Sequence, residues 1–265
     1  FKRVLDRQTP DWQELHLAEP IRWSQHDPLE PLIFRLLGLN ADMVAPQPPK
    51  TPSWRRLAQE ALAWDEALLN RVFGLLVLAH YQTSPSDLRY LLESPDLDIH
   101  LLEQERELLG VALVAREGNI APALAHDIWA GRRRPRGHLL PQSLLAHAGF
   151  ITAGERTYAR VMRIAIHPSL HRLGLGSLLL AQLETHYRTQ GYDYLGSAFS
   201  ASPDLLPFWL KAGLTALRIG LQRDAASGSH AALLLKPLKA ELDSELTQWR
   251  RRFVSQLPTL LAGEL

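Results

Sequence analysis

The segment that most constrains the fold is RIAIHPSLHRLGLGSLLL, residues 163–180. An apolar run typical of a buried strand ends at a His-Pro pair, two glycines follow, and leucines then recur at helical spacing. A strand that leads through a tight glycine loop into a helix presents unpaired backbone N–H groups to an anionic phosphate. We predict that side chains at Gly174 and Gly176 would block this approach. A GxG pair alone is a weak signal, since a plain tight turn explains it equally well.

Composition and charge limit the function classes. With 46% hydrophobic and 22% charged residues, the 265-residue chain is typical of a globular protein with a sizeable core. No apolar run approaches the roughly 20 residues of a membrane span. The chain has no cysteine, which excludes disulfides and thiolate metal sites, so we expect a cytoplasmic protein without a metal. The net charge of +1 gives no global case for nucleic acid, which must be argued from local clusters.

The hydrophobic pattern divides the chain into segments. Prolines crowd into APQPPKTP at residues 45–52, which predicts a linker. Helical spacing follows from Trp54 to Ala79, and a short strand at its start stays open. Ser84 and Pro85 then have the pattern of a helix start. The later segments are predicted as a hairpin, a short helix, a basic loop, a central strand, a long helix, a strand, a capped helix, two strands and a terminal helix.

This order of elements resembles the GCN5-related N-acetyltransferase fold, an α/β fold with a mixed central sheet whose splayed strands are flanked by helices. In that family a loop of the form Gln/Arg-x-x-Gly-x-Gly/Ala holds the pyrophosphate of acetyl-CoA, and here His171 departs from the pattern in the first position. The resemblance implies that the backbone of Ile164, Ala165 and Ile166 pairs with the pantetheine arm. It implies acetyl-CoA binding by the loop residues His171, Arg172, Leu173, Gly174, Leu175, Gly176 and Ser177.

Longer motifs resemble one branch of that superfamily, the bacterial tRNA(Met) cytidine acetyltransferases, which form N4-acetylcytidine at the wobble base. The matching strings are PIRW, DPLE, AHYQTSPSDLR, WAGRRRPRGHLLPQSLLAH, RIAIHP, DYLGSAF, FWLKAGL and RDAASGSH. The resemblance implies tRNA(Met) as acceptor, and a full-length protein with a helicase-like module before the acetyltransferase and an RNA-binding tail after it. We expect residues 1–50 to end the helicase-like module with a linker, 51–240 to form the acetyltransferase domain, and 241–265 to form a helix that leads to the tail.

ATP is expected only in the remainder of the helicase-like module. This expectation follows because the chain contains no G-x-x-x-x-G-K-[ST] phosphate loop.

Two charged residues beside the FW pair are further candidates for cofactor binding. In the bacterial family a Glu and an Arg at these positions help to hold acetyl-CoA, and Asp204 and Lys211 keep the two charges here. The shorter acid and the point-charge base are not equivalent groups. The alternatives are a helix-start acid favoured by the helix dipole and a solvated cation at the helix end.

The reaction also needs a proton acceptor. The N4 amine of cytosine is uncharged but a poor nucleophile, so the enzyme must position it and remove a proton. We favour His80, because an imidazole titrates near neutrality and because the family's motif carries histidine there. A histidine that only packs at a helix end is the alternative, and Tyr81 would either orient the substrate or pack. No acid for the departing thiolate is assigned.

Two arginine clusters are candidates for RNA contact, since guanidinium groups bind phosphates and a neighbouring aromatic can stack on a base. The members are Arg132, Arg133, Arg134 and Arg136 in the loop GRRRPRG, and Arg250, Arg251 and Arg252 after Trp249. A solvated face is the ordinary alternative, and the resemblance favours only the first cluster.

Three functions remain open. The first is acetyl transfer to cytidine in tRNA(Met). The second is acetyl transfer to a small-molecule or protein amine, which has no use for GRRRPRG. The third is a non-catalytic RNA-binding module in which His171, Asp204 and Lys211 no longer hold the cofactor.

Overall fold

A computed structural model describes residues 5–6, 8–9, 11–15, 24, 27–29, 31–32, 46–79, 85–224 and 228–262. The chain divides into two compact units, Phe1–Asn40 and Ala41–Leu265. The first unit is described only in short stretches, such as the turn in which Trp12 Nε1 donates to Asp6 Oδ1 over 3.0 Å.

A seven-stranded mixed sheet forms the centre of the second unit. Its strands are Ser53–Leu57 (β1), Leu97–Gln104 (β2), Glu107–Gly118 (β3), Thr157–Ile166 (β4), Tyr194–Ser200 (β5), Thr215–Arg223 (β6) and His230–Pro237 (β7). They lie in the order β1-β2-β3-β4-β5-β7-β6, and all neighbours are antiparallel except β4 and β5. The predicted α/β class with a mixed sheet is therefore confirmed.

Eight helices flank the sheet in the part of the second unit that the structure describes. They are Gln59–Trp64 (α1), Glu66–Ala79 (α2), Pro85–Glu93 (α3), Pro122–Trp129 (α4), Leu139–Ser143 (α5), Leu175–Thr189 (α6), Leu205–Lys211 (α7) and Asp243–Ala262 (α8). A π-helical turn spans Leu144–Ala148, and 3-10 turns span Ile151–Gly154, Pro168–Leu170 and Ala240–Leu242. No helix in these described ranges has both the length and the apolar composition of a membrane span.

The start of the segment after the linker is a strand, which settles the open alternative. Arg55 and Arg56 of β1 bind Glu103 and Asp98 of β2, with N–O distances of 2.5 and 2.6 Å. These cross-strand ion pairs stabilise an extended conformation that helical spacing alone does not reveal.

Both faces of the central strands are buried. Val111 and Leu113 of β3 pack with α2 on one face, whereas Ala112 and Val114 pack with α6 on the other. Alternate residues of a strand point to opposite faces, so covering both faces requires the near-continuous apolar run seen in the sequence. A third cluster joins α5, α8 and the strands β5 to β7.

A buried polar cluster lies between β2 and α6. His100 is fully buried, and its Nε2 lies 2.9 Å from Tyr187 Oη. Tyr187 Oη in turn donates to Asp98 Oδ2 over 2.9 Å. Because the tyrosine proton goes to Asp98, His100 Nε2 must be the donor, which places the proton of the neutral imidazole on Nε2.

The folded protein is expected to become less stable as the pH is lowered, because of His100. Burial lowers the pKa of His100 to about 3, whereas in an unfolded chain it is about 6.5. The unfolded state therefore binds an extra proton between these values, and the free energy of unfolding decreases as the pH falls through that window. We expect His100→Gln to reduce the change of the unfolding free energy with pH by up to about 1.4 kcal/mol per pH unit. Denaturant unfolding at pH 7 and pH 5 measures this slope. His171→Gln, at an exposed histidine, is the control; equal slopes for parent and His100→Gln would contradict the prediction.

Candidate functional site

The strands β4 and β5 separate after a short parallel contact. Residues 158–160 of β4 pair with 194–196 of β5. Beyond that point β4 continues along β3 to Ile166, while β5 continues along β7 to Ser200. In the described part of the chain, no strand pairs with residues 161–166 of β4 on the side that faces β5. The predicted splayed strands are present, and they open a gap in the middle of the sheet.

A β-bulge lies where the strands separate. Val161 and Arg163 of β4 pair with consecutive residues of β3, so Met162 between them is an extra residue. Ser197 Oγ of β5 donates to the Val161 carbonyl oxygen over 2.9 Å at this point. The backbone of Ile164–Ile166 then runs along the open gap, where an extended amide-containing ligand can add as a strand.

The loop after β4 turns the chain into α6. His167 is buried, with Nδ1 2.8 Å from Ser169 Oγ, and Leu170 is buried beside it. Arg172 and Gly174 have positive φ angles of 67° and 80°. Glycine adopts this conformation without strain, which explains the residue at the position before the first turn of α6. The loop therefore places the N-terminus of a 15-residue helix at the end of β4.

The two glycines have different roles. A Cβ added to Gly174 would have nothing within 4 Å, so it would project into open space at the start of α6. A Cβ added to Gly176 would lie 3.4 Å from Phe208 Cε2 and 3.8 Å from Ile166 Cγ1. The explanation given above for Gly176 therefore needs correction. A methyl group at Gly176 would meet Phe208 and Ile166 at ordinary contact distance and point into the protein, whereas Gly174 keeps the space before the helix open.

His171, which departs from the family's loop pattern, holds the loop against the strand. Its Nε2 lies 2.9 Å from the Ile166 carbonyl oxygen. The imidazole is thus the donor of a bond that joins the loop to the last residue of β4. His171 contributes to the shape of the loop through this bond.

The helix α7 lies against the start of α6 through Phe208. Asp204 stands at the N-terminus of α7 without a side-chain capping bond, and Lys211 lies in its last turn. Both side chains are exposed, and neither has an ion pair with another described residue. They occupy opposite ends of α7, roughly 10 Å apart at 1.5 Å per residue. The structure therefore does not bring them together.

The proposed proton acceptor His80 and its neighbour Tyr81 lie outside the described residues. The next described helix, α3, lies beside the β4 bulge. Its Asp87 forms an ion pair with Arg163 over 2.6 Å, and Tyr90 Oη lies 3.6 Å from Met162 Sδ.

Hydrogen bonds hold the basic loop at several points. Arg132 folds back onto α4, where it pairs with Asp127 over 2.5 Å. Gln142 Nε2 donates to the Pro135 carbonyl oxygen over 2.9 Å, and the backbone N–H of Gly118 donates to His138 Nδ1 over 2.9 Å. The loop is therefore pre-organised.

The remaining arginines of this loop are available for ligands. Arg133, Arg134 and Arg136 are exposed and have no ion pair with another described residue. Arg132 differs from them, because its guanidinium is already paired with Asp127.

Two members of the second arginine cluster, Arg250 and Arg252, contact the protein, although both remain exposed. Arg250 Nη1 donates to the Ala216 carbonyl oxygen over 2.8 Å, and the Arg252 guanidinium lies 5.4 Å from the centre of the Phe150 ring. Trp249 is only 2% exposed, so it cannot stack on a base as suggested above. The exposed aromatic beside the first cluster is Trp129, at 47% exposure, which sequence reasoning did not select.

The comparisons with known proteins agree with this geometry. The family model "GNAT acetyltransferase 2" matches residues 71–192, which include the splayed strand β4, the glycine loop and α6. The fold and site thus define a GCN5-related N-acetyltransferase. A second family model, the helicase domain of RNA cytidine acetyltransferases, matches residues 1–40.

Two relatives give the family within this class. The tRNA(Met) cytidine acetyltransferase of Nitrosococcus halophilus is 44% identical over 270 residues, which cover 100% of this chain and 36% of that protein. The enzyme of the same name from Haloferax volcanii is 39% identical, covering 91% of this chain and 32% of that protein. The chain belongs to the tRNA(Met) cytidine acetyltransferase family and spans about a third of the length of these relatives.

Among solved structures, the ribosomal-protein-S18-alanine N-acetyltransferase of Escherichia coli is 14% identical with a TM-score of 0.48. The match covers 71% of this chain and 95% of that one.

Proposed function

We propose that this chain transfers an acetyl group from acetyl-CoA to the N4 amine of the wobble cytidine of tRNA(Met), which forms N4-acetylcytidine. The observation that carries the proposal is the open N-terminus of α6 next to the free edge of β4. The relatives described above are tRNA(Met) cytidine acetyltransferases, which supports cytidine as the acceptor. We place the reaction in the cytoplasm, a reducing compartment that is consistent with a chain without cysteine.

The chain offers two adjoining surfaces to acetyl-CoA. The first turn of α6, from Leu175 to Ser177, has backbone N–H groups without helical partners, and these suit the pyrophosphate. The open edge at Ile164–Ile166 suits the amides of the pantetheine arm. Arg172 and Leu173 line the turn before the helix. Acetyl-CoA would supply the thioester, whose carbonyl carbon is attacked by the amine.

The roles of the charged residues on α7 follow from their positions. Asp204 and Lys211 lie at opposite ends of the helix. Each therefore contacts a different part of the cofactor. Lys211 suits a phosphate group, and Asp204 suits a hydroxyl or amide donor.

The catalytic work that the chain must perform is positioning and proton removal. His80 accepts the proton of the N4 amine as the new C–N bond forms, and Tyr81 orients the base. The backbone N–H groups along the open edge of β4 suit the carbonyl oxygen, which gains negative charge in the same step. The proposal assigns no acid to the departing thiolate.

We further propose that residues 1–50 complete the helicase-like module and its linker, 51–240 form the acetyltransferase domain, and 241–265 lead toward the RNA-binding tail. ATP belongs to the helicase-like module outside this chain.

Acetyl transfer from labelled acetyl-CoA to tRNA(Met) transcripts tests the activity. We expect label in a transcript with cytidine at the wobble position and none in a transcript with uridine there. Transfer to polyamines or peptides without transfer to the cytidine transcript would favour the small-amine alternative. Failure to bind acetyl-CoA together with firm tRNA binding would favour the non-catalytic RNA-binding module.

The basic loop is expected to contact tRNA phosphates. Replacing Arg133 and Arg136 by alanine should weaken tRNA binding and reduce the slope of log affinity against log salt by roughly 1.5, at about 0.7 to 0.9 per phosphate contact. Fluorescence anisotropy over a range of NaCl concentrations measures this slope. Arg89→Ala removes an exposed arginine paired with Glu93 on α3 and serves as control. Parallel salt plots for the double variant and the parent would count against this contact.

A further inference from the structure

Arg218 differs from the other arginines of the sheet because it is half-buried without a partner. Among the described residues it has no ion pair and no side-chain hydrogen bond. Burial lowers the pKa of Arg218, and no acidic neighbour opposes that effect. By contrast, Arg160 and Arg163 of β4 are each paired with a carboxylate, at 2.5 and 2.6 Å. A partly desolvated guanidinium without an anion is costly in a folded protein, and a bound anion would offset that cost.

The local structure of β6 explains where this side chain lies. Ala216 and Arg218 pair with consecutive residues of β7, which makes Leu217 between them the extra residue of a bulge. Leu217 is buried in the cluster that contains Trp249. Arg250 of α8 donates to the Ala216 carbonyl oxygen over 2.8 Å, two residues from Arg218. Arg218 therefore lies at the outer edge of the sheet, next to α8.

Two further basic segments, the π-helical turn and the basic loop, lie near the same place. His147 lies in the π-helical turn, and its pKa is lowered by burial and then by the charges of Arg218 and Arg134. Ala148 of the same turn packs against the cluster that contains Leu217, and Gln142, just before the turn, donates to the Pro135 carbonyl oxygen of the basic loop over 2.9 Å. Arg134 is an exposed member of the basic loop. Among the described residues, neither His147 nor Arg218 forms an ion pair with a carboxylate.

The tertiary structure thus connects the two arginine clusters that lie more than a hundred residues apart in sequence. Arg134, His147, Arg218 and Arg250 come from a loop, a π-helical turn, an edge strand and the last helix. A guanidinium binds two oxygens of a phosphate in a bidentate manner, so these residues suit a phosphodiester backbone. Since the patch continues from the exposed arginines of the basic loop, its ligand is expected to be the same polyanion.

We propose that Arg218, flanked by Arg134, His147 and Arg250, binds a backbone phosphate of the RNA substrate and extends the contact of the basic loop to the β6–α8 edge. The proposal depends on the proposed function, because it takes tRNA as the polyanion. We name these four residues the edge phosphate site.

Binding of fluorescein-labelled tRNA(Met) transcript, measured by anisotropy over a range of NaCl concentrations, tests the site. Arg218→Gln is expected to weaken binding by about five- to tenfold at 0.1 M salt and to reduce the salt slope by roughly 0.7 to 0.9. Arg55→Gln provides a matched control, because it removes the same charge from β1 at the opposite edge of the sheet, where Arg55 is paired with Glu103. It is expected to keep the parent affinity within about twofold.

Two further measurements separate the possible results. Calorimetric titration of acetyl-CoA is expected to give the same affinity for the parent and for Arg218→Gln, since Arg218 lies away from the open edge of β4. Arg218→Lys retains the charge and the alkyl chain. It is expected to keep the parent salt slope but to lose about threefold in affinity, because lysine cannot form the bidentate contact. If Arg218→Gln does not fold, Arg218→Lys carries the test alone, and an unchanged affinity then overturns the proposal.

The outcomes distinguish this inference from the proposed function. A parent chain that binds and acetylates tRNA, with an Arg218→Gln variant of equal affinity and slope, overturns the edge phosphate site and leaves the proposed function standing. A parent chain that binds acetyl-CoA but no tRNA overturns both proposals. A reduced slope for Arg218→Gln, with normal acetyl-CoA binding and a normal Arg55→Gln control, supports the site.

Discussion

Gly174→Glu is expected to weaken acetyl-CoA binding at least about a hundredfold in a calorimetric titration, equivalent to about 2.7 kcal/mol. The substituted carboxylate projects into the open space at the start of α6, where a Cβ has no neighbour within 4 Å. It would place a negative charge in front of the N–H groups that suit the pyrophosphate. Occupation of this space and charge repulsion therefore act in the same direction.

The chain provides a matched control for this substitution. Gly191 has a φ of 79°, close to the 80° of Gly174, and a Cβ there also has nothing within 4 Å. It lies just beyond the C-terminal end of α6. Gly191→Glu thus introduces the same side chain and similar backbone strain away from the proposed site, and is expected to bind acetyl-CoA like the parent.

Gly176→Ala separates the two glycine roles. Its methyl group would lie 3.4 Å from Phe208 and point into the protein, so acetyl-CoA affinity is expected to change less than about fivefold. Similar affinities for Gly174→Glu and Gly191→Glu would show that the start of α6 does not hold the pyrophosphate.

His80→Ala is expected to lower the rate of acetyl transfer by about 10² to 10⁴, the usual contribution of a positioned acid or base. Its acetyl-CoA affinity is expected to stay within about twofold, because the role assigned to His80 is proton removal from the amine. Single-turnover transfer to tRNA(Met) measures the rate, and calorimetry measures the affinity.

The pH dependence provides a second test of this residue. A histidine accepts a proton only when it is neutral, so the parent rate should fall as the pH is lowered and the imidazole becomes protonated. His80→Ala should lack that component. A folded variant with the parent rate would remove His80 from the mechanism, and Tyr81→Phe then tests whether the neighbouring hydroxyl orients the base.

Local patterns were sufficient for much of the fold. The apolar run before His167 predicted β4, and the leucine spacing after Gly174 predicted α6, because side-chain periodicity reports directly on strand and helix geometry. The strand β1 stayed undecided, since the ion pairs of Arg55 and Arg56 depend on β2, some 45 residues further along the chain. The terminal helix, predicted within residues 241–265, spans Asp243–Ala262.

The candidate site was predicted in part. The loop from His171 to Ser177 was selected from its glycines, and the structure places it at the end of β4 beside the open gap. The β4 bulge at Met162 was not predicted, because a bulge is defined only by the partner strand.

The sequence alone determined the order of most strands and helices, the glycine loop and the family, because each depends on residues that are neighbours along the chain. Only the tertiary structure decided which members of a motif are available to a ligand. It paired Arg132 with Asp127, buried Trp249, turned Gly176 toward Phe208 and left Arg218 without a partner. Burial and ion pairing depend on segments far apart in sequence, so they are set only when the sheet and its flanking helices pack together.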